Sequence, residues 1–368
     1  MNRPHAILPL VLPVVLVIIL SAAFAVVCHT ANREVTRPST SARSATAPDA
    51  AGSTSGAIDP APTRDPLVRD VRVLRTDDAY QRVAKLLVQH GVRIWWESDL
   101  VARWLDGPTS FAKAVTRLGV LARTPGTAGF KIADEIGYYD GLTSAAQALR
   151  FLRDADSALA RVAPGLPILV DAVVLELGCL PRTSDAAECG RKARATAPAA
   201  TISAVTSYLR AGLIDRLDLS TGLGEPSEYP DKDLVAAQDL AWTYVATGPW
   251  PHLTRLQSRK ALARPSGYSG SAALDTRVFV ETPRRHGAKA TDIWTWRQKY
   301  KDQTVSLFGS SPTSNPLWKA LLAQRRQGVS LFTHMTPSAL PTATAELAHE
   351  CSLAAQVFSD VFVAAGTG

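Results

Sequence analysis

The chain has 368 residues, 46% of them hydrophobic and 20% charged, a composition that supplies a large core and excludes a wholly disordered protein. Its 40 Lys and Arg against 33 Asp and Glu leave a net charge of +7, spread without a long basic run. That pattern argues against nucleic acid as a partner and is compatible with attraction to an anionic cell envelope.

Arg3 precedes an apolar stretch from Ala6 to Val27, interrupted only by Pro9, Pro13 and Ser21. A run of that length is enough for a bilayer-spanning helix, and the single positive residue before it predicts an N-inside orientation. Ala23-Phe24-Ala25 has the small-x-small form of a signal-peptidase site. Residues 1–28 are therefore expected to be a signal peptide or a transmembrane anchor, with the remainder extracytoplasmic, membrane-anchored or secreted. Cys28 raises the further option of a lipoprotein cysteine, although Val27 is not the small residue such a site takes before it. Residues 29–65 are dominated by Ser, Thr, Ala, Pro and Gly with no periodic apolar face, which predicts a disordered linker. The folded domain is expected over 66–368.

Strand-like and helix-like segments then alternate. The spacing of Val83, Leu86 and Leu87 predicts a helix over 77–90, followed by a strand at 92–98, VRIWWES. Helix is expected over 99–122, strand at 129–135 (GFKIADE) and helix over 144–162. The β-branched run PILVDAVVLE, 167–176, reads as the clearest strand. A helix over 199–211, a strand at 214–220 and a helix over 231–247 follow. The segment 254–263 is compatible with strand or helix; 277–283 (RVFVETP) and 291–297 (TDIWTWR) read as strands. A helix over 317–326, a strand at 329–335 and a final helix over 342–364 complete the pattern.

Eight strand candidates alternating with helices predict a parallel sheet covered by helices. Eight such units in one domain favour a closed (β/α)8 barrel over the open doubly wound sheet. No GxGxxG follows the first strand and no CxxC or Cys/His cluster occurs, so neither a cofactor nor a metal is expected. Cys179 and Cys189 bracket a short polar segment, a spacing that suits a local disulfide in an oxidising compartment. Cys351 falls on a helical pattern as a buried thiol.

Barrel sites lie at the C-terminal ends of the strands, and polar residues collect there. Glu97 ends the first candidate strand, Asp134 and Glu135 the second, and Glu281 the sixth; Asp171 lies on the third, Asp218 late in the fourth, and His334 near the end of the eighth. Period-two alternation puts Lys131 and Glu135 on one face, and likewise Arg93, Trp95 and Glu97, or Arg216 and Asp218. Such charges are either a structural ion-pair network or a carboxylate pair for acid–base work. Under the second reading Glu135 is the first choice of proton donor, with like charge from Asp134 and Asp171 raising its pKa, and Glu281 or Asp171 is its partner. Lys131 works against that donor role. Glu97, Lys131, Asp134, Asp218, Arg259 and His334 are expected to contact substrate. Trp95, Tyr138, Trp294 and Trp296 add flat aromatic faces suited to sugar rings, or else pack in the core. No His-x-His or Asp-x-Asp spacing surrounds Asp134 or Asp171 to suggest a metal.

The segments WWESD, GFKIADEIGYYDG, PILVDAVVLELGCLP, LDLSTG, DIWTWRQ and FTHMTPS, spread over residues 80–340, together resemble exported actinobacterial barrel proteins related to glycoside hydrolases. In the large retaining clan of those enzymes the acid/base Glu follows an Asn on strand four and the nucleophile sits on strand seven. Here the Asp134-Glu135 pair stands on the second candidate strand and the seventh carries no Glu. The resemblance implies a glycoside-hydrolase-like barrel acting on a carbohydrate or cell-wall polymer. The alternative is a barrel that binds carbohydrate or scaffolds the envelope without turnover; a hydrolase of phosphoesters or amides is a third class.

Overall fold

The computed structural model describes residues 78–364 except 183, 224–230 and 301–302. The signal or anchor segment 1–28 and the linker 29–65 lie outside the described residues. Among those that are described, no helix is long and apolar enough to cross a membrane.

Among the described residues ten strands form one sheet. They are β1 (Arg93–Glu97), β2 (Thr127–Ala133), β3 (Ile168–Val173), β4 (Arg216–Ser220), β5 (Arg255–Ala261), β6 (Thr291–Trp294), β7 (Arg297–Tyr300), β8 (Gln303–Ser306), β9 (Leu331–Met335) and β10 (Asp360–Ala364). Eight are parallel neighbours in the cyclic order β1-β2-β3-β4-β5-β6-β9-β10, and β10 pairs with both β9 and β1 to close the ring. The domain is a parallel eight-stranded barrel with helices outside it. The remaining two strands form an antiparallel hairpin at the rim, joined to the barrel through Arg297 and Met335.

The expected count of eight stands, but one of the expected strands is lost and another segment takes its place. The segment 277–283 is not a strand. Ser271 caps a helix by accepting from the Leu274 amide, and the helix runs from Ala272 to Arg285 through a π turn at Arg277–Glu281. Val278, Phe279 and Val280 are all buried, so the apolar run that reads as a strand is the inner face of a helix. Pro283 has no amide to offer the carbonyl four residues back; that carbonyl, on Phe279, instead accepts a 2.8 Å bond from Ser258 Oγ on β5.

The second change is at the C-terminus. The last helix, Thr344–Val357, stops at Phe358, whose backbone is extended. Residues 360–364 become β10, the strand that closes the barrel. A strand buried on both faces is a continuous apolar run with no period to distinguish it from a buried helix. Ala79–Gln89, the first described helix, accordingly lies before β1 and packs against both β1 and β10.

The inner floor of the barrel is apolar, built from Trp95, Leu169, Ala290, Phe332 and Phe362. Each large ring removed from water in this way contributes about 1.5–3 kcal/mol. Gly129 makes room for Trp95: a Cβ there would lie 2.4 Å from the indole. The outward-facing residues, including Ile94, Trp96, Phe130, Val170 and Leu217, join the larger core beneath the helices. The expected disulfide joins Cys179 to Cys189 and pins the short helix Leu175–Cys179 to the helix Ala186–Thr196. Cys351 is a buried free thiol.

Candidate functional site

Above the apolar floor the barrel interior turns ionic. Alternation along the strands directs Glu97, Lys131, Asp171, Asp218, Arg259, Asp292 and His334 inward from seven of the eight barrel strands. Asp134 and Glu135 come from the turn after β2, which ends at Ala133, two residues before the predicted limit.

Lys131 and Arg259 organise this layer. Lys131 Nζ lies 2.8 Å from Glu97 Oε1, 3.0 Å from Asp134 Oδ1 and 3.3 Å from Asp171 Oδ2. The Arg259 guanidinium reaches Glu135 at 2.9 Å, Asp134 at 3.2 Å and Asp171 at 2.7 Å. His334 stands between two carboxylates, with Nδ1 2.8 Å from Glu97 Oε2 and Nε2 2.8 Å from Asp292 Oδ2.

These contacts set the protonation states. Burial disfavours charge on His334, but Asp292 and Glu97 outweigh it and raise its pKa to about 9, so the ring is an imidazolium at neutral pH. Burial pushes Glu97 up, while the His334 charge and the Lys131 ammonium more than offset it and hold the carboxyl at about 2. Asp292 is likewise lowered: burial opposes ionisation and His334 prevails. Lys131, wholly buried, is raised well above the ordinary lysine value because Asp134, Glu97 and Asp171 overcome its desolvation.

Asp171 and Asp218 go the other way. Burial raises Asp171 beyond what Arg259 and Lys131 can recover, with Asp134 adding like charge. Burial also raises Asp218, reinforced by Asp292 and Asp171, and neither of its carboxyl oxygens has a hydrogen-bond partner. At the solvent side, Asp134 has a side chain 63% exposed. Its partial burial acts upward, yet Lys131 and Arg259 hold it well below the usual carboxylate range.

The turn carrying Asp134 and Glu135 is tightly built. Glu135 adopts φ 56°, the left-handed region, which side chains other than Gly take only at some expense in energy. Gly137, at φ 72°, has no room for a Cβ because one would lie 2.6 Å from Ala199. Asp140 Oδ1 accepts from the amides of Gly137 and Leu142, and burial raises its pKa to about 6 despite those bonds. The same turn presents Tyr138 and Tyr139, whose ring centres are 3.8 Å apart and whose hydroxyls are hydrogen-bonded; Tyr139 is 71% exposed.

The structure thus brings together Glu97, Lys131, Asp134, Glu135, Asp171, Arg259 and His334, with Asp218 beneath them and Tyr138 at the lip. It does not bring Glu281 there. Glu281 ends the π turn on the helical layer, where its carboxylate accepts a 2.7 Å bond from Gln324 Nε2; a helix in place of a strand moves it out of the rim. Trp95 belongs to the barrel floor, its indole donating to Asp360 and its ring facing Arg216 at 5.2 Å. Trp296 is core: it packs edge-on against Phe308, Trp318 and Phe358 and donates to Glu350. Trp294 is half-buried, with its indole bonded to Gln298.

Asp292 of the network, and Asp140 in the turn beside it, were not among the residues expected to contact substrate. Asp292 was visible as the acid two places before Trp294, on the same strand face. Asp140 carries a signal only in its Asp-Gly turn. Arg93 and Arg216 lie lower: Arg93 pairs with Asp360 at 2.8 Å, and Arg216 donates to Gln257 at 3.1 Å. Among the described residues no cluster of His, Cys, Asp or Glu has the arrangement to hold a metal ion. A separate groove of about 370 Å³, between the helices Ile202–Arg210 and Asp231–Thr247, takes no residue from the ionic rim.

No family model matches the chain, and no curated protein matches it. Solved structures similar to it include Rhizobium etli pyruvate carboxylase with acetyl coenzyme A, at 12% identity and TM-score 0.39. That match covers 80% of this chain and 24% of the other, so this chain spans about a quarter of the carboxylase. Also similar are 2,3-dimethylmalate lyase (11% identity, TM-score 0.35, covering 77% of this chain and 80% of that one) and β-glucosidase 1317 (11% identity, TM-score 0.37, covering 70% and 78%). The likeness extends to lyases and a carboxylase as readily as to a glucosidase and is not specific to glycoside hydrolases.

Proposed function

We propose that this chain is an extracytoplasmic, glycoside-hydrolase-like barrel that takes carbohydrate at the C-terminal rim of its strands. The observation that carries this reading is the turn after β2. It offers two solvent-facing carboxylates, Asp134 and Glu135, three to five residues from the paired rings of Tyr138 and Tyr139. Flat aromatic faces suit the C–H faces of sugar rings, and carboxylates accept from sugar hydroxyls. Behind that turn, environments push carboxyl pKa values apart, Asp171 up and Asp134 down, the division of labour that acid–base chemistry requires. The Cys179–Cys189 disulfide supports an oxidising, extracytoplasmic setting.

A second reading, carbohydrate binding or envelope scaffolding without turnover, is favoured by a different observation. The carboxylates of Glu97, Asp134, Glu135 and Asp292 are all engaged by Lys131, Arg259 or His334. The test is a polysaccharide panel, assayed for both binding and release of reducing ends, with wild type, Asp134→Asn and Tyr139→Ala. Release by wild type that falls at least tenfold in Asp134→Asn supports hydrolysis. Binding lost in Tyr139→Ala with no release from any glycan supports the second reading. No binding and no release from any glycan overturns both.

A further inference from the structure

Five carboxyl groups, those of Glu97, Asp134, Glu135, Asp171 and Asp292, contact only three cations, Lys131, Arg259 and His334. A wholly buried carboxyl beside a like charge is disfavoured in its ionised form even when the neighbour opens to solvent. Asp134 and Asp171 are the two that compete most directly. The same Lys131 ammonium lies 3.0 Å from Asp134 and 3.3 Å from Asp171, and the same Arg259 guanidinium lies 3.2 Å and 2.7 Å from them. One member of the pair is wholly buried on β3; the other opens to solvent.

From this geometry we infer that Asp134 and Asp171 share one proton, held at rest on buried Asp171, and that this pair rather than Glu135 is the acid a ligand meets at the mouth. Asp171 touches no ligand; it is a positioning residue acting through Asp134. Asp292 on β6 adds negative charge to the layer and Asp218 on β4 faces it as a neutral acid, while Lys131 on β2 and Arg259 on β5 supply the positive charge. The upward displacement of Asp171 and the downward displacement of Asp134 agree with a proton resting on the inner group. The inference deepens the hydrolytic reading and rests on it for chemistry alone. In glycoside cleavage the proton of the pair would pass to the leaving oxygen as the C–O bond breaks. The water that takes that place at the sugar carbon would return one proton to the pair.

Infrared spectroscopy of the full chain at neutral pH tests the proton without any ligand, so it stands or falls separately from glycan binding. The carbonyl stretch of protonated carboxyls is expected from both Asp171 and Asp218. Asp218→Asn should leave about half of that band, and Asp134→Asn added to it should abolish the rest, because a single carboxyl between Lys131 and Arg259 ionises. Loss of the whole band in Asp218→Asn alone overturns the inference. So does a residual band that persists unchanged in the double variant, since that proton would belong to burial and not to sharing. Neither variant removes Asp171 or the two cations that hold the layer together.

Discussion

His334 Nδ1 lies 2.8 Å from Glu97 Oε2, although 237 positions separate the two residues in the chain. They come from β9 and β1, the strands on either side of β10, so this contact spans the seam where the barrel closes. The opposite ring nitrogen meets Asp292 on β6 at 2.8 Å. One imidazolium therefore ties three barrel strands across the closing strand.

Stability should depend on pH through that ring. His334 has a folded pKa of about 9 against 6.5 unfolded. Its contribution is thus fully present below pH 6.5 and is lost as pH rises through 9. The size is about 3 kcal/mol for two to three pKa units. Urea unfolding from pH 6 to pH 10 should show this loss, and His334→Gln should flatten it. An unchanged slope in the variant would refute the assignment.

The complementary limb is acidic. Glu97 has its pKa lowered from 4.5 to about 2. Its contribution is present above pH 4.5 and lost as pH falls through 2. Because Glu97 and His334 stabilise each other, a double substitution should cost less than the sum of the singles, a coupling of roughly 0.5–3 kcal/mol by double-mutant cycle.

Lys131 is the largest single vulnerability in the layer. Lys131→Met should destabilise the domain by about 3–5 kcal/mol at neutral pH, since it strands several carboxylates in a dry interior. The measurement is the urea midpoint. The deficit should shrink at pH 4, where those carboxyls begin to protonate.

Asp218 should behave in the opposite sense. Its folded pKa is raised, so its stabilising state is the neutral acid, fully available below pH 3.8 and progressively expensive above it. Asp218→Asn should raise stability at neutral pH, and its advantage over wild type should vanish near pH 3. A variant less stable than wild type at neutral pH would show that Asp218 is charged and paired.

The disulfide closes a loop with a sequence separation of 10. On chain-entropy grounds, Cys179→Ser should lower stability by about 2–3 kcal/mol. The same loss should appear on reducing the wild type. Glu281→Ala, by contrast, should leave binding of any rim ligand unchanged, because Glu281 bonds to Gln324 on the helical layer.

Much of the fold was legible in local pattern. Capped, amphipathic helices such as Ala145–Val162, where Ser144 accepts from the Gln147 amide, and strands such as Ile168–Val173 stood out because each declares itself within its own residues. Of the two segments that differ from expectation, 360–364 is buried along nearly its whole length and has no exposed polar phase to reveal its period, whereas 277–283 carries exposed Arg277 and Glu281 four residues apart, a helical spacing masked by the apolar run Val278–Val280. In the site, period-two alternation put Trp95 with Glu97 and Arg216 with Asp218 on shared faces, as the structure has them, whereas Arg259 lies on a segment, 254–263, whose pattern left strand and helix open. That period does not give the element that carries Glu281 or the depth at which Trp95 and Trp296 sit.

The sequence by itself determined that helix and strand segments alternate in a pattern suited to a parallel barrel, that the strand ends are acidic, and that Cys179 and Cys189 are spaced to pair; the segment that supplies the closing strand was not among these. Each of these follows from composition and spacing over short distances. Only the tertiary structure decided which acids are charged. Lys131, Arg259 and His334 reach their partners across strands far apart in the chain, and the balance between burial and those contacts sets Asp134 and Glu97 low and Asp171 and Asp218 high.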